Sequence, residues 1–333
     1  MKIFITGVAG FLGSHLADRM LMLGHSVVGN DNLLGGYRDN VDLRVKFFTT
    51  DCCDIGSMTT IMQGCDVVIH TAATPHEGLS VFSPNFITKN IYQASVATIS
   101  AAISCNIKRF VFCSSMARYG IGNPPFVESQ PTAPVDPYGI AKVGVEETLK
   151  VLANTHGMEW NIAVPHNIVG PRQRYDDPFR NVISIIINRN LQGKPAIVYG
   201  DGEQMRCFSY IDDCIFCLEK LALDTNIVGE IINIGPDENP VTINQLVDII
   251  ATETGYCGIS QHMSDRPSEV KYATCSADNA REKLGYKTKT DLITSVKKTV
   301  DWIRSKGTLP FDYSFPLEII NDKTPKTWKD RLM

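Results

Sequence analysis

The segment Thr6-Gly7-Val8-Ala9-Gly10-Phe11-Leu12-Gly13 constrains this chain more than any other. It joins an apolar, β-prone run, Lys2–Thr6, to an amphipathic run, Leu12–Leu23, which Gly24 stops. Glycines between a strand and a helix have a definite physical use. One permits the sharp turn, another lets a pyrophosphate approach backbone N–H groups, and the last lets the helix pack on the strand. The helix N-terminus then favours the anion. An ordinary βα turn also needs small residues, but the regular glycine spacing in this context argues for a dinucleotide. The residues expected to hold it are Gly7, Gly10, Phe11, Leu12 and Gly13.

Strand and helix patterns then alternate. Ser26–Asn30, Val45–Thr49, Asp66–His70, Arg109–Ser114 and Glu159–Val164 read as strands. Asp54 is placed to cap a helix that ends at Gly64; longer helices are expected from Pro84 to Cys105 and from Tyr138 to before Gly157. The Val67–Ile69 core is apolar on both faces, as a buried parallel strand requires. This order predicts an α/β fold with a doubly wound parallel sheet. After Pro165 the pattern changes. Glu230–Ile234 reads as a strand returning to the sheet, Thr242 and Gln245 as a capping box, and Asp278 as the cap of a helix ending near Leu284. Residues 1–165 are expected to form the dinucleotide domain, with 205–238 partly returning to it, and 166–204 with 239–333 a smaller mixed α/β substrate lobe.

Composition excludes several classes. A net charge of −4 lacks the basic excess of a nucleic-acid binder. No run approaches the roughly 20 apolar residues of a membrane span, so no membrane partner and a cytoplasmic location are expected. The ten cysteines suggest no disulfide framework in a chain this long. Cys214 and Cys217 have C-x-x-C spacing, but they lie in an apolar helical pattern without a second pair or nearby histidines. Core packing is expected there, and no metal site.

Asp31, at the end of the second strand, can accept hydrogen bonds from ribose hydroxyls and would repel a 2′-phosphate, which favours NAD over NADP. Asn32 follows it, and Asp51, with Cys52, is placed to meet the adenine edge. Thr71, Ala72 and Ala73 are small enough for backbone to approach the cofactor. Tyr138 and Lys142 are one helical turn apart and share a face. A lysine ammonium beside a phenol stabilises the phenolate. Ser115 follows the fifth strand, where a crevice loop opens. Ser115 is expected to hydrogen-bond a reacting hydroxyl, Tyr138 to act as acid and base, and Lys142 to tune Tyr138 and hold the ribose.

Together, the G-x-x-G-x-x-G turn, HTAA (His70–Ala73), SSMARYG, PYGIAK (Pro137–Lys142), PHNIVGPRQ (Pro165–Gln173), YGDGEQMRCFSYIDD (Tyr199–Asp213) and RPSEV (Arg266–Val270) resemble the nucleotide-sugar epimerase/dehydratase branch of the extended short-chain dehydrogenases. The resemblance spans nearly the whole chain. It implies a Rossmann fold, NAD, a UDP-sugar or other nucleotide-sugar substrate, and a homodimer. It adds Asn90 and Pro165 to the cofactor residues, and Met116, Asn167, Arg206 and Arg266 to the substrate residues.

Within that branch, dehydratases carry an Asp-Glu pair between the serine and the following tyrosine, and decarboxylases carry a glutamate. This chain has Met116 and Ala117 there, so the resemblance implies a 4-epimerase without an added acid or base. A dehydratase, decarboxylase or reductase is the alternative, and a non-catalytic NAD-binding sensor a more distant one. Some positions depart from the family pattern: Arg118 before Tyr119, Val169 in place of an aromatic, and Cys207 in place of an acid after Arg206. Arg118 either reaches a substrate carboxylate or phosphate or makes a surface or ion-pair contact. His76 is expected to be a solvated loop residue, although its loop could border the sugar. By the same resemblance the small Ala273 leaves room for an acetamido group, while Arg172, Arg174 and Arg180 could serve a uronate carboxylate.

Overall fold

The apolar runs read as strands lie side by side in the computed structural model, which describes residues 1–266 and 270–333. Strands β1 (Lys2–Thr6), β2 (Ser26–Asp31), β3 (Lys46–Thr49), β4 (Val67–His70), β5 (Arg109–Cys113) and β6 (Glu159–Pro165) form one sheet with strand Glu230–Ile234. The seven-stranded order is Glu230–Ile234, β6, β5, β4, β1, β2, β3. Every pairing is parallel. Alternation along β1 explains the two-sided core. Ile3 and Ile5 join the cluster under α1 (Phe11–Met22) and helix Ile211–Leu223. Phe4 joins the opposite cluster, with Met58 and Met62 of α2 (Ile55–Met62) and Val145 and Leu149 of helix Pro137–His156. The chain reverses its winding between β1 and β4, and a crevice opens beyond their C-terminal ends.

Local signals hold at most boundaries. The Asp54 carboxylate accepts from Ser57 N–H at 3.1 Å, and Asp136 from Gly139 N–H at 2.9 Å. Thr242 and Gln245 form both halves of the capping box. Two expectations need correction. The helix expected from Pro84 to Cys105 is not uniform: Lys89–Gln93 forms a π turn between α-helical Pro84–Thr88 and Ala94–Ser104. A π turn inserts a residue without a sequence signature. Asp278 does not cap the segment before Leu284. It lies inside the turn, and its N–H donates to the Ser276 hydroxyl at 3.2 Å.

Cys214 and Cys217 are both fully buried free thiols in the cluster under α1. A third core, outside the main sheet, packs helices Val182–Leu191, Ile243–Thr254 and Leu292–Lys306 together. The last residues fold back over the first half. The Glu318 carboxylate accepts from the Asn85 and Phe86 N–H groups at 3.0 and 2.8 Å, capping helix Pro84–Thr88. Trp328 is buried against Phe82 and Phe179, and its indole N–H donates to the Pro178 carbonyl at 3.2 Å. No helix among the described residues is long and apolar enough to cross a membrane.

Candidate active site

A cavity of about 530 Å³ runs from the glycine turn, past the ends of β1, β4 and β5, to the C-terminal segment. Its size suits a small-molecule site. The cofactor end is shaped by close backbone approach. Gly7 has φ +66°, and a Cβ there would lie 2.8 Å from the Ala72 Cα. A Cβ on Gly13 would lie 2.2 Å from the Gly7 carbonyl oxygen. Gly10 begins α1 with no side-chain cap, which leaves the helix N-terminus open toward a ligand.

Thr6 ties the two strand ends together. Its hydroxyl accepts from the Thr71 and Ala72 N–H groups, each at 3.1 Å, and lies 2.7 Å from His70 Nδ1. The other His70 nitrogen lies 2.8 Å from the Ser95 hydroxyl. Burial, with the Lys142 charge nearby, pushes the His70 imidazole down to about 3. His70 is thus a neutral structural link.

Asp31 stands at the end of β2, beside the glycine turn. Its oxygens accept from Ala9 N–H at 3.0 Å and Leu33 N–H at 2.7 Å. Burial pushes its carboxyl up, opposed by those backbone donors. Each oxygen keeps a lone pair that a ribose hydroxyl could use. Asp51 accepts from Cys53 N–H at 2.8 Å and from the Asn32 amide at 3.3 Å. Cys52 is buried beside it and accepts from the Asn30 amide at 3.4 Å. Phe11, Leu12, Ala73 and Pro165 line the same end. The π turn carries Asn90 to the cavity, with its amide donating to the Phe86 carbonyl at 2.8 Å.

Ser115, Tyr138 and Lys142 meet in the middle of the cavity. Lys142 Nζ donates to the Cys113 carbonyl at 2.6 Å and lies 5.8 Å from the Tyr138 ring centre. Burial pulls the ammonium down to about 8, while Cys113 and Glu146 act the other way. Burial pushes the Tyr138 phenol well above its ordinary value, and the Glu77 carboxylate adds to this. Ser115 and Arg180 pull it back. In the protein alone, Ser115 and Arg180 favour the phenolate. Distance in sequence hid the approach of Arg180, which comes from another loop.

Arg118 turns away from the cavity. It is buried, with NH2 2.9 Å from Glu146 Oε2, and NH1 donating to the Tyr119 hydroxyl at 3.3 Å. The other Glu146 oxygen takes the Ser114 hydroxyl. The ion-pair reading of Arg118 therefore holds, but behind the Ser114–Ser115 loop and not on the surface. The expected solvation of His76 is wrong. It is 3% exposed, with Nε2 2.7 Å from Asp177 Oδ2. Packing edge-on to Phe315 keeps water out. Neither partner was visible in the sequence, because both come from distant loops.

Among the expected substrate residues, Met116, Asn167, Arg206, Arg266 and Ala273 all line the cavity. Asn167 adopts φ +44° and donates its amide to the Cys207 carbonyl at 2.8 Å. Arg206 donates to the Met205 and Val270 carbonyls at 2.8 and 2.6 Å. Arg266 stacks 4.6 Å above the Tyr199 ring centre. The middle of the RPSEV motif, residues 267–269, lies outside the described residues. Glu77 also lines the cavity and acts on Tyr138, a role the sequence did not assign.

The sequence model of the NAD dependent epimerase/dehydratase family matches residues 3–235. The chain belongs to this family. NAD is accordingly its cofactor, and the open α1 N-terminus, the Gly7–Ala72 contact and Asp31 fit that dinucleotide. A putative UDP-glucose 4-epimerase of Methanocaldococcus jannaschii is 33% identical over 310 residues, covering 92% of this chain and 99% of that protein. A UDP-N-acetyl-alpha-D-glucosaminuronate decarboxylase of Bacillus cytotoxicus is 35% identical over 253 residues, 71% of this chain and 75% of that one. The UDP-glucose 4-epimerase of Thermotoga maritima, solved with UDP-glucose, superposes with a TM-score of 0.86 at 29% identity, covering 92% of this chain and 99% of that chain. The family thus spans epimerases and enzymes of other reaction types.

Proposed function

We propose that this enzyme inverts C4 of a UDP-sugar through a transient 4-keto sugar. The observation that carries this reading is the meeting of Ser115, Tyr138 and Lys142 in one cavity with the glycine turn, while Met116 and Ala117, beside Ser115, bring no acid or base. Tyr138 takes the 4-hydroxyl proton and later returns it. Ser115 holds that hydroxyl and favours the phenolate. NAD, which the glycine turn and Asp31 would hold, would supply reversible hydride transfer when bound. Lys142, buried and tied to the Cys113 carbonyl, keeps a positive charge close to the phenol and the ribose site. Arg206 and Arg266 are assigned the diphosphate, which arginine forks suit, and Asn167 the adjoining backbone. A firmly held nucleotide with a loosely held sugar lets the keto sugar present both faces.

The test is product analysis by NMR on UDP-hexoses, UDP-N-acetylhexosamines and UDP-uronates, wild type beside Tyr138→Phe. Interconversion at C4 without net NADH supports the reading; no change at C4 on any of them sinks it. A second reading, loss of water, is favoured by Glu77, a carboxylate on the cavity that acts on Tyr138. A mass loss in the product that Glu77→Gln abolishes would establish it.

We also infer a homodimer through helix Pro137–His156 and the helical run from Pro84 to Ser104. Tyr92, Ile140 and Val151 on these elements are 38%, 58% and 63% exposed, an apolar face that a second copy would cover. A monomeric mass by light scattering would refute it.

A further inference from the structure

The arginines that the sequence set aside for an acidic sugar have different fates. Arg172 is paired with Asp18 at 2.8 Å. Arg174 is held by Asp176 at 2.8 Å and by Asp312 of the C-terminal segment at 2.7 Å. Both charges are met within the protein. Arg180 is not met in this way. It lines the cavity and acts electrostatically on Tyr138. Among the described residues no carboxylate stands within 4.0 Å of its guanidinium. Asp177, three residues earlier, is turned instead to His76 at 2.7 Å. Glu77, a carboxylate that acts on Tyr138, has a partner of its own.

The guanidinium is also oriented. Asn181 sits at φ +66°, where the chain turns into helix Val182–Leu191. With the Asn181 amide oxygen facing the guanidinium, it accepts from Arg180 Nε at 2.8 Å and NH2 at 3.1 Å. That fixes one edge. NH1, the other terminal nitrogen, makes no hydrogen bond to the described residues. A fixed, half-buried guanidinium with donors left over suits a planar, bidentate anion. Burial, with Arg174 nearby, disfavours its charge, and Asp177 and Tyr138 offset only part of this. An arriving anion would offset that penalty, whereas a neutral sugar would leave it standing.

We propose that Arg180 receives a carboxylate on the sugar, so that the substrate is an acidic nucleotide-sugar. This rests on the reading of the cavity as a nucleotide-sugar site. Asp177, paired with His76 that packs on Phe315, lends the guanidinium a nearby negative charge but no ion pair within 4.0 Å.

The test measures binding of UDP-glucose, UDP-galactose, UDP-glucuronate and UDP-galacturonate by calorimetry to NAD-loaded Tyr138→Phe protein, in which turnover should be strongly slowed. The acidic ligands should bind at least about tenfold more tightly than the neutral ones. Adding Arg180→Leu should bring the two groups to equal affinity, and Arg180→Lys should keep part of the preference. Equal binding of acidic and neutral ligands by the Tyr138→Phe protein would overturn the proposal. So would a preference that survives Arg180→Leu. Binding of acidic ligands without inversion at C4 by the wild-type enzyme would sink the epimerase reading and leave this one standing. No binding of any UDP-sugar would overturn both.

Discussion

The two ends of the cavity are built on different principles. At the cofactor end, shape comes from backbone contact: Gly7 against Ala72, Gly13 against the Gly7 carbonyl, and the Thr6 hydroxyl on two N–H groups. At the sugar end, shape comes from side-chain pairs drawn from separate loops: His76 with Asp177, and Arg174 with Asp176 and Asp312. Backbone contact tolerates almost no change in residue size. Side-chain pairs can be exchanged for other pairs. The first suits a cofactor common to a family, and the second suits a sugar that differs among its members.

The largest expected effect falls where the two ends meet. Tyr138→Phe should lower kcat by about 10²- to 10⁴-fold, the usual worth of a positioned acid/base. Thermal unfolding should stay close to wild type, since only a hydroxyl is removed. A rate near wild type would break the assignment of the chemistry to this point.

Next comes the sugar wall. His76→Leu leaves Asp177 as a buried carboxylate without its partner, and should cost about 3 kcal/mol of stability in denaturant unfolding. The double variant His76→Leu, Asp177→Leu should recover much of that loss. If the single variant is as stable as the double, the pair is not what holds this wall.

Gly7→Ala probes the other end. It adds a Cβ at positive φ against Ala72, a clash expected to cost about 1–3 kcal/mol. NAD affinity, followed by fluorescence titration, should fall with it, while the contacts around Arg180 remain. A variant that keeps NAD affinity would show that the turn has more room than its backbone suggests.

The last effect is a pH slope. His70 titrates near 3 in the folded protein, against an ordinary value of about 6.5. Between those values the unfolded chain binds the extra proton. Stability should therefore fall as pH drops from about 6.5 toward 3, by up to about 1.4 kcal/mol per pH unit from this residue. His70→Gln should flatten that slope in urea unfolding series. An unchanged slope would assign acid lability to other groups.

The same contrast explains what the sequence revealed. Gly7, Gly10 and Gly13 were legible because a steric requirement leaves few permitted residues at fixed spacing. The strands were legible because burial on both faces demands unbroken apolar runs. Tyr138 and Lys142 share one helical turn, so their common face was readable. The His76–Asp177 pair was not, because its members lie far apart in the chain and each looks like an ordinary loop residue alone. Arg118 was half legible: a charged residue at an unusual place was evident, but its partner Glu146 lies on another element. Arg180 was one arginine of several, and only the carboxylates claimed by its neighbours set it apart. The π turn at Lys89–Gln93 left no trace in an apolar pattern that a plain helix satisfies equally well.

Glu318 caps a helix that begins at Pro84, and Trp328 closes the wall beside Phe82. During synthesis, the N-terminal half leaves the ribosome long before these residues exist. The parallel sheet can begin to assemble, yet helix Pro84–Thr88 waits uncapped and its apolar neighbours wait uncovered until residues beyond 315 emerge. The sugar end of a nascent chain is therefore finished last, and a chain stalled short of Glu318 would expose that surface to chaperones and proteases.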